Sequence, residues 1–247
     1  MSRGRTTGGH FRRPPPWRMA GLCMAFALPV LAPLLLAVAR VQSVTLSPTD
    51  VTSGAASTAT VTLEAPSLAD VAVDLFSSNP GLASVPPKGI VIPAGSRTGS
   101  FAVTTGSGTL GCATISATVR NTAAPRSATL FIKQSLLSSV SSPLRIGLSA
   151  NPVVGGESLT GTIEAPAAGL PVQLASSNPS VTVPAGVTLV APTVTAPGGG
   201  QFSPQGVGVA SFTITTTRVK APTCAIITAS GAGPSKRVLL KVFNPAF

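Results

Sequence analysis

Past residue 40 this chain has no histidine and no tryptophan, and it has no tyrosine anywhere. The lone histidine, His10, and the lone tryptophan, Trp17, both lie near the N-terminus. Without an imidazole the body of the chain cannot assemble a Ser-His-Asp or Cys-His couple or a histidine metal site. Acids are nearly as scarce: Asp50, Glu64, Asp70, Asp74, Glu157 and Glu164 are the whole set. Asp70 and Asp74 fall on one face of one strand, roughly 13 Å apart at about 3.3 Å per residue. That is too far for an acid and nucleophile pair. No D-x-D-x-D run supplies the cluster of oxygens that calcium takes. The sequence predicts no enzyme, no cofactor and no metal centre.

The first forty residues differ from the rest. Arg3, Arg5, Arg12, Arg13 and Arg18 precede an apolar stretch from Ala20 to Ala39 that ends in Ala37-Val38-Ala39. A basic start, an apolar middle and a small-x-small site are the parts of a secretory signal peptide, so residues 1–39 read as a leader cleaved after Ala39. The alternative is an uncleaved anchor, since residues 20–39 are long enough to span a bilayer and the arginines would hold the N-terminus inside. On either reading everything after Arg40 is exported, to a secreted, cell-surface or periplasmic location. Five of the seventeen basic residues leave with the leader. The remaining twelve against six acids give +6, spread thinly and without a cluster suited to nucleic acid.

What the chain does have is an internal echo. Ser77-Ser78-Asn79-Pro80 recurs as Ser176-Ser177-Asn178-Pro179. Upstream, Glu64-Ala65-Pro66 matches Glu164-Ala165-Pro166. Downstream, the runs from Phe101 and Cys112 match those from Phe212 and Cys224. Self-similarity over about a hundred residues implies two copies of one module. Within each copy apolar residues alternate over short runs, such as Val71, Val73 and Leu75, or Ile115, Ala117 and Val119. Period-two alternation with one apolar face marks half-buried antiparallel strands. Gly, Pro and Asn turns punctuate the runs. About seven short strands in roughly ninety-five residues is the pattern of a two-sheet sandwich.

The predicted organisation is all-β: two tandem antiparallel sandwiches after an N-terminal signal helix. The first spans residues 40–133, a Ser-rich linker 134–144, and the second 145–247. Relative to the first copy, the second carries a loop insertion near 190–208. Pro197, Gly198, Gly199, Gly200, Gln201 and Phe202 within it form the candidate partner-contact loop, because long loops on rigid scaffolds often carry recognition.

Val73 to Pro80, Val85-Pro86, Ile92 to Thr105, Ala113 to Thr118 and Ser127 to Ile132 together resemble the bacterial immunoglobulin-like repeats of secreted and surface proteins. The second copy keeps Val172 to Pro179, Val183-Pro184, Phe212 to Thr216 and Ala225 to Ser230, but lacks the I-P-A-G-S piece. The resemblance implies an immunoglobulin-like fold and work as a spacer, stalk or adhesive module. It does not specify an activity. The expected function is therefore a non-enzymatic structural or adhesive module, with an unidentified protein or glycan partner at the cell surface. A ligand-binding module, for a glycan or assisted by calcium, is the alternative. Phe76 shares a strand face with Ala72 and Asp74 and is the candidate exposed aromatic; Phe101 and Phe212 read as core.

Cys112 and Cys224 hold the same position in the two copies. An antibody-type domain would pair such a cysteine with one on its second strand, where this chain has Thr and Val. Free buried thiols, a bridge to each other and bridges to other chains all remain open. Modules joined end to end would place the two sulfurs tens of ångströms apart, given a radius of gyration near 13 Å for each. A bridge between them demands side-by-side packing, since its Cα atoms must lie within roughly 7 Å.

Overall fold

The computed structural model describes residues 39–122, 124–134, 144–195, 201–202, 206–231 and 233–244. The predicted signal helix and cleavage segment lie outside these, apart from Ala39 itself, which packs against the first core. Residues 38–247 form one compact unit. Among the described residues there is no helix, so none that is long and apolar enough to cross a membrane.

Nine strands build the first half: β1 (Val41–Ser47), β2 (Asp50–Thr52), β3 (Ala56–Leu63), β4 (Val71–Ser77), β5 (Ala83–Ser84), β6 (Ile90–Ile92), β7 (Thr98–Thr105), β8 (Gly111–Val119) and β9 (Arg126–Lys133). They form one sheet in the order β1-β3-β7-β5 and a second in the order β2-β9-β8-β4-β6. The second half repeats this with β10 (Arg145–Leu148), β11 (Val153–Val154), β12 (Ser158–Ala165), β13 (Pro171–Ser176), β14 (Val181–Thr182), β15 (Gly186–Thr188), β18 (Gly208–Thr216), β19 (Thr223–Ser230) and β20 (Lys236–Phe243). Its sheets run β10-β12-β18-β14 and β11-β20-β19-β13-β15, strand for strand the same arrangement. The order β1-β3-β7-β5 takes the ABED places of an immunoglobulin sandwich, and β4, β8 and β9 take the CFG places. Both halves add a short strand (β2, β11) that pairs parallel with the last strand, and an edge strand (β6, β15) beside β4 or β13.

The insertion in the second half is more than slack. Within it β16 (Val194–Thr195) pairs antiparallel with β17 (Gln201–Phe202), and Val190 bridges Val209 at its base. Four residues of the candidate contact loop, Pro197 to Gly200, lie outside the described residues; Gln201 and Phe202 are β17. At the predicted linker, Leu144 is fully buried in the second core, so the second sandwich begins one residue earlier than its first strand.

Alternation explains the two cores. On β8 every second residue faces in: Gly111, Ala113, Ile115, Ala117 and Val119. On β12 the inward set is Leu159, Gly161, Ile163 and Ala165. Phe101 and Phe212 are both buried, as their repeat positions predict. They are accommodated differently. Ala59 stands opposite Phe101, whereas Gly161 stands opposite Phe212 and its missing Cβ leaves room for the ring. Gly89 is required for another reason: its φ is +70° and a Cβ there would run into the Val73 carbonyl.

Candidate functional site: a clasp between the two halves

The repeated Ser-Ser-Asn-Pro motif turns out to be a pin. It ends β4 and β13 and fixes the sheet neighbours β8 and β19. In the first half Ser77 Oγ accepts the Asn79 amide at 3.3 Å, and Asn79 Oδ1 accepts the Leu82 amide at 3.3 Å. Ser78 makes two hydrogen bonds with Thr114: its amide donates to the Thr114 carbonyl at 3.0 Å and its Oγ accepts the Thr114 amide at 2.9 Å. In the second half Ser177 makes the same pair with Ile226, at 3.0 and 2.8 Å. Asn178 adds a bond from Nδ2 to the Cys224 carbonyl at 2.8 Å. Each motif therefore anchors a strand two residues beyond a cysteine.

Those cysteines are bonded to each other. Cys112 on β8 and Cys224 on β19 form a disulfide with Cα atoms 6.1 Å apart. The end-to-end spacing that would have separated them does not hold. The outer faces of the two five-stranded sheets lie against one another, so neither cysteine is a free thiol. Leu110, Phe131 and Leu239 are buried around the bridge, with Ile226 and Phe243 packed on them. The Phe131 and Phe243 rings lie 5.7 Å apart and tilted, a favourable aromatic geometry.

One charged group completes the clasp. Lys241 reaches from the second half to bond Asp50 of the first, and its ammonium stands 5.0 Å from the centre of the Phe131 ring. The Lys241 side chain is only 12% exposed and that of Asp50 34%, so the pair is sheltered mainly on its lysine side. Lys133 approaches Asp50 at 3.5 Å from the first half's own last strand. Burial pushes the Asp50 carboxyl up, but bonding and attraction from Lys241, reinforced by Lys133, outweigh it and hold the pKa below its ordinary 3.8. Thr129 Oγ1 also crosses the seam, donating to the Pro222 carbonyl at 3.2 Å.

The other sequence candidates lie apart from the clasp. Phe76 is 64% exposed on the outer face of β4. An open hollow of about 410 Å³ beside it is lined by Asp74, Ser116, Thr118, Thr122 and Pro125. Asp74 is held by Arg120 at 2.7 Å, an exposed pair in which the guanidinium keeps the carboxyl below its usual range. Asp70 does not join it: its Oδ1 caps the Ala94 amide at 2.9 Å. Among the described residues no three His, Cys, Asp or Glu side chains cluster as metal ligands.

Asp50, Phe131, Lys241 and Phe243 were not singled out by sequence, yet a signal was present. A strand covered on one face alternates; a strand covered on both does not. Leu130, Phe131 and Ile132 are buried in succession, as are Leu239 and Leu240. Those unbroken apolar runs mark the last strand of each half as covered from outside.

No protein-family model and no curated protein matches the chain. Partial likenesses occur among solved structures. The D0-D1 domain of intimin has 14% identity, covers 83% of this chain and 98% of its own, and gives a TM-score of 0.38. InvD of Yersinia pseudotuberculosis has 16% identity over 83% of this chain and 58% of its own, with a TM-score of 0.30. Domains 4–9 of the surface layer protein SbsC have 16% identity over 83% and 32%, with a TM-score of 0.27. By its own strand order the chain is a tandem pair of immunoglobulin-like sandwiches, the fold implied by its likeness to bacterial immunoglobulin-like repeats.

Proposed function

We propose that the chain is an exported, non-enzymatic module of a bacterial cell surface, in which two sandwiches are locked face to face to make one stiff structural unit. The observation that carries this reading is the Cys112–Cys224 bridge across the seam. Disulfides persist in oxidising compartments such as the periplasm and cell exterior, which agrees with a leader that sends everything past Arg40 across the membrane. Two hinged beads would bend at their linker; a bridge flanked by an apolar cluster and a half-buried ion pair removes that freedom. Thiol counting on the exported protein tests the proposal. Denatured without reductant, the region past the leader should expose no thiol, and after reduction two. Two free thiols before reduction, or recovery of the chain in the cytoplasm, would remove the basis for it.

A second reading, ligand binding, is favoured by one observation: the exposed Phe76 ring beside the Asp74–Arg120 pair and the hydroxyls of Ser116 and Thr118. An aromatic face with nearby polar groups suits a saccharide. Titration with a glycan panel should shift resonances of these residues, and Phe76→Ala should abolish the shifts. No response to any glycan would discard this role and leave the structural one intact.

A further inference from the structure

The two repeats differ at one sheet edge. β7 and its counterpart β18 each pair along their length with β3 or β12 on one side. On the other side a strand covers only Thr104 and Thr105 of β7, or Thr215 and Thr216 of β18. In the second half the chain returns to that edge, where Val190 and Val209 exchange both amide bonds at 2.8 Å. Val209 is the counterpart of Thr98, each lying three residues before the matched phenylalanine. The first half lacks the insertion, and there nothing returns. The Leu63 amide donates to the Arg97 carbonyl at 2.8 Å, so Arg97, Gly99, Phe101 and Val103 turn their main-chain groups toward β3. Thr98, Ser100 and Ala102 aim theirs the opposite way, and among the described residues no strand meets them. All three are exposed.

Sheet edges are normally guarded by shortness, charge, proline or a bulge. β1 carries a register shift between Val41 and Ser43. β10 has four residues and opens on Arg145. β6 has three and runs into Pro93, and β15 has three. β7 has none of these guards: it runs eight residues, Thr98 to Thr105, without a charge or a proline. Arg97, just before it, is tied back to the Leu63 carbonyl at 2.9 Å and to Gln42 Oε1 at 2.7 Å. We propose that this edge pairs with the same edge of a second copy, antiparallel about a twofold axis at Ser100. Ser100 then meets its own equivalent and Thr98 meets Ala102, which uses the bare residues of each copy in full. Each such couple exchanges both main-chain bonds, about six in all. An uncharged edge meets itself without setting like charges opposite one another. Phe101 and Val103 keep their inward places, because the paired residues all lie on the exposed face. β7 belongs to the sheet that takes no part in the clasp, so the disulfide seam is undisturbed. The twofold closes the assembly at two copies.

The test uses residues 38–247, the compact unit that carries both cores, with the disulfide intact. Sedimentation velocity over a concentration series should show monomer passing to dimer and no further. Amide exchange followed by NMR should slow at Thr98, Ser100 and Ala102 as the dimer fills, while Gly99 and Phe101, already bonded to β3, stay unchanged. Ser100→Lys sets two ammonium groups opposite one another and should weaken the dimer about fivefold or more. Ala102→Pro removes an amide that the single chain does not use and sets a ring at the edge. It should abolish the dimer at an unchanged melting temperature. Thr213→Pro is the matched control: the Thr216 amide donates to the Glu157 carbonyl, so the Thr213 amide also faces away from β12. That edge is closed on both sides of Thr213, so the dimer should persist. Where a proline variant loses its cooperative melt, S100K decides alone. A monomer at every concentration, a dimer indifferent to S100K, or a dimer that leaves the three amides unprotected would each overturn the inference. So would a monomer whose three amides are protected only by an added Thr-Val repeat peptide.

Discussion

Stretching the molecule between its ends reads the clasp directly, because a covalent bridge removes chain from the path of the load. Consider handles attached before Val41 and after Phe243. In the oxidised protein tension runs from Val41 to Cys112, crosses the disulfide, and leaves along Cys224 to Phe243. The residues between the cysteines, a separation of 112, carry no load. At about 3.3–3.6 Å per extended residue the loaded segments can lengthen to only about 300–325 Å. The sequestered loop withholds a further 370–400 Å or so. That loop contains β9 and all of β10 to β18, so most of the second sandwich is shielded. Optical-tweezer traces should show the short contour length without reductant and the long one with it. The same long contour should appear without reductant in C112A. Full extension of the untreated wild-type chain would refute the reasoning, and so would traces that ignore the reductant.

Loss of the bridge in C112A should destabilise the chain by up to about 4.7 kcal/mol, the chain-entropy value for a loop near a hundred residues, measured by urea unfolding. Gly161→Val should cost about 1–3 kcal/mol by forcing a side chain into the Phe212 ring, whereas Ala59→Val opposite the smaller demand at Phe101 tests whether the effect is specific to the second core. Ser78→Ala and Ser177→Ala each leave a strand amide without its partner and should cost about 1 kcal/mol, read as a lowered urea midpoint at unchanged slope. For pH, the folded Asp50 pKa lies below its unfolded value, so its contribution is complete above about pH 4 and fades as the pH falls through the folded pKa. The acid loss of stability should therefore be shallower in D50N, and an acid limb identical to wild type would contradict it.

The repeat, the strand periodicity and the two phenylalanine core positions were legible because each is local, written into spacing along a single strand. The Val71, Val73, Leu75 and Ile115, Ala117, Val119 alternations fall within β4 and β8. The two-residue strands β5 and β14 and the parallel strands β2 and β11 were not legible. Two residues cannot display a period, and parallel pairing depends on a partner eighty residues away. The clasp was half legible. Equivalent cysteines in the two repeats named the bridge as one of three outcomes, but only docking of the sheets decides among them. Asp50 sits in a three-residue strand with no motif around it, and its role exists only once Lys241 arrives from the other half.

Had the two sandwiches been related by translation along the chain, each would present one surface forward and another back, and further repeats could be appended without limit. The bridge instead joins a cysteine to its own repeat-equivalent, the relation of a dyad, and a dyad behaves otherwise. It consumes the same surface on both partners and leaves nothing for a third. A string of such units can grow only as closed couples, each a rigid block. Any longer assembly built from this chain would flex between couples, never inside them.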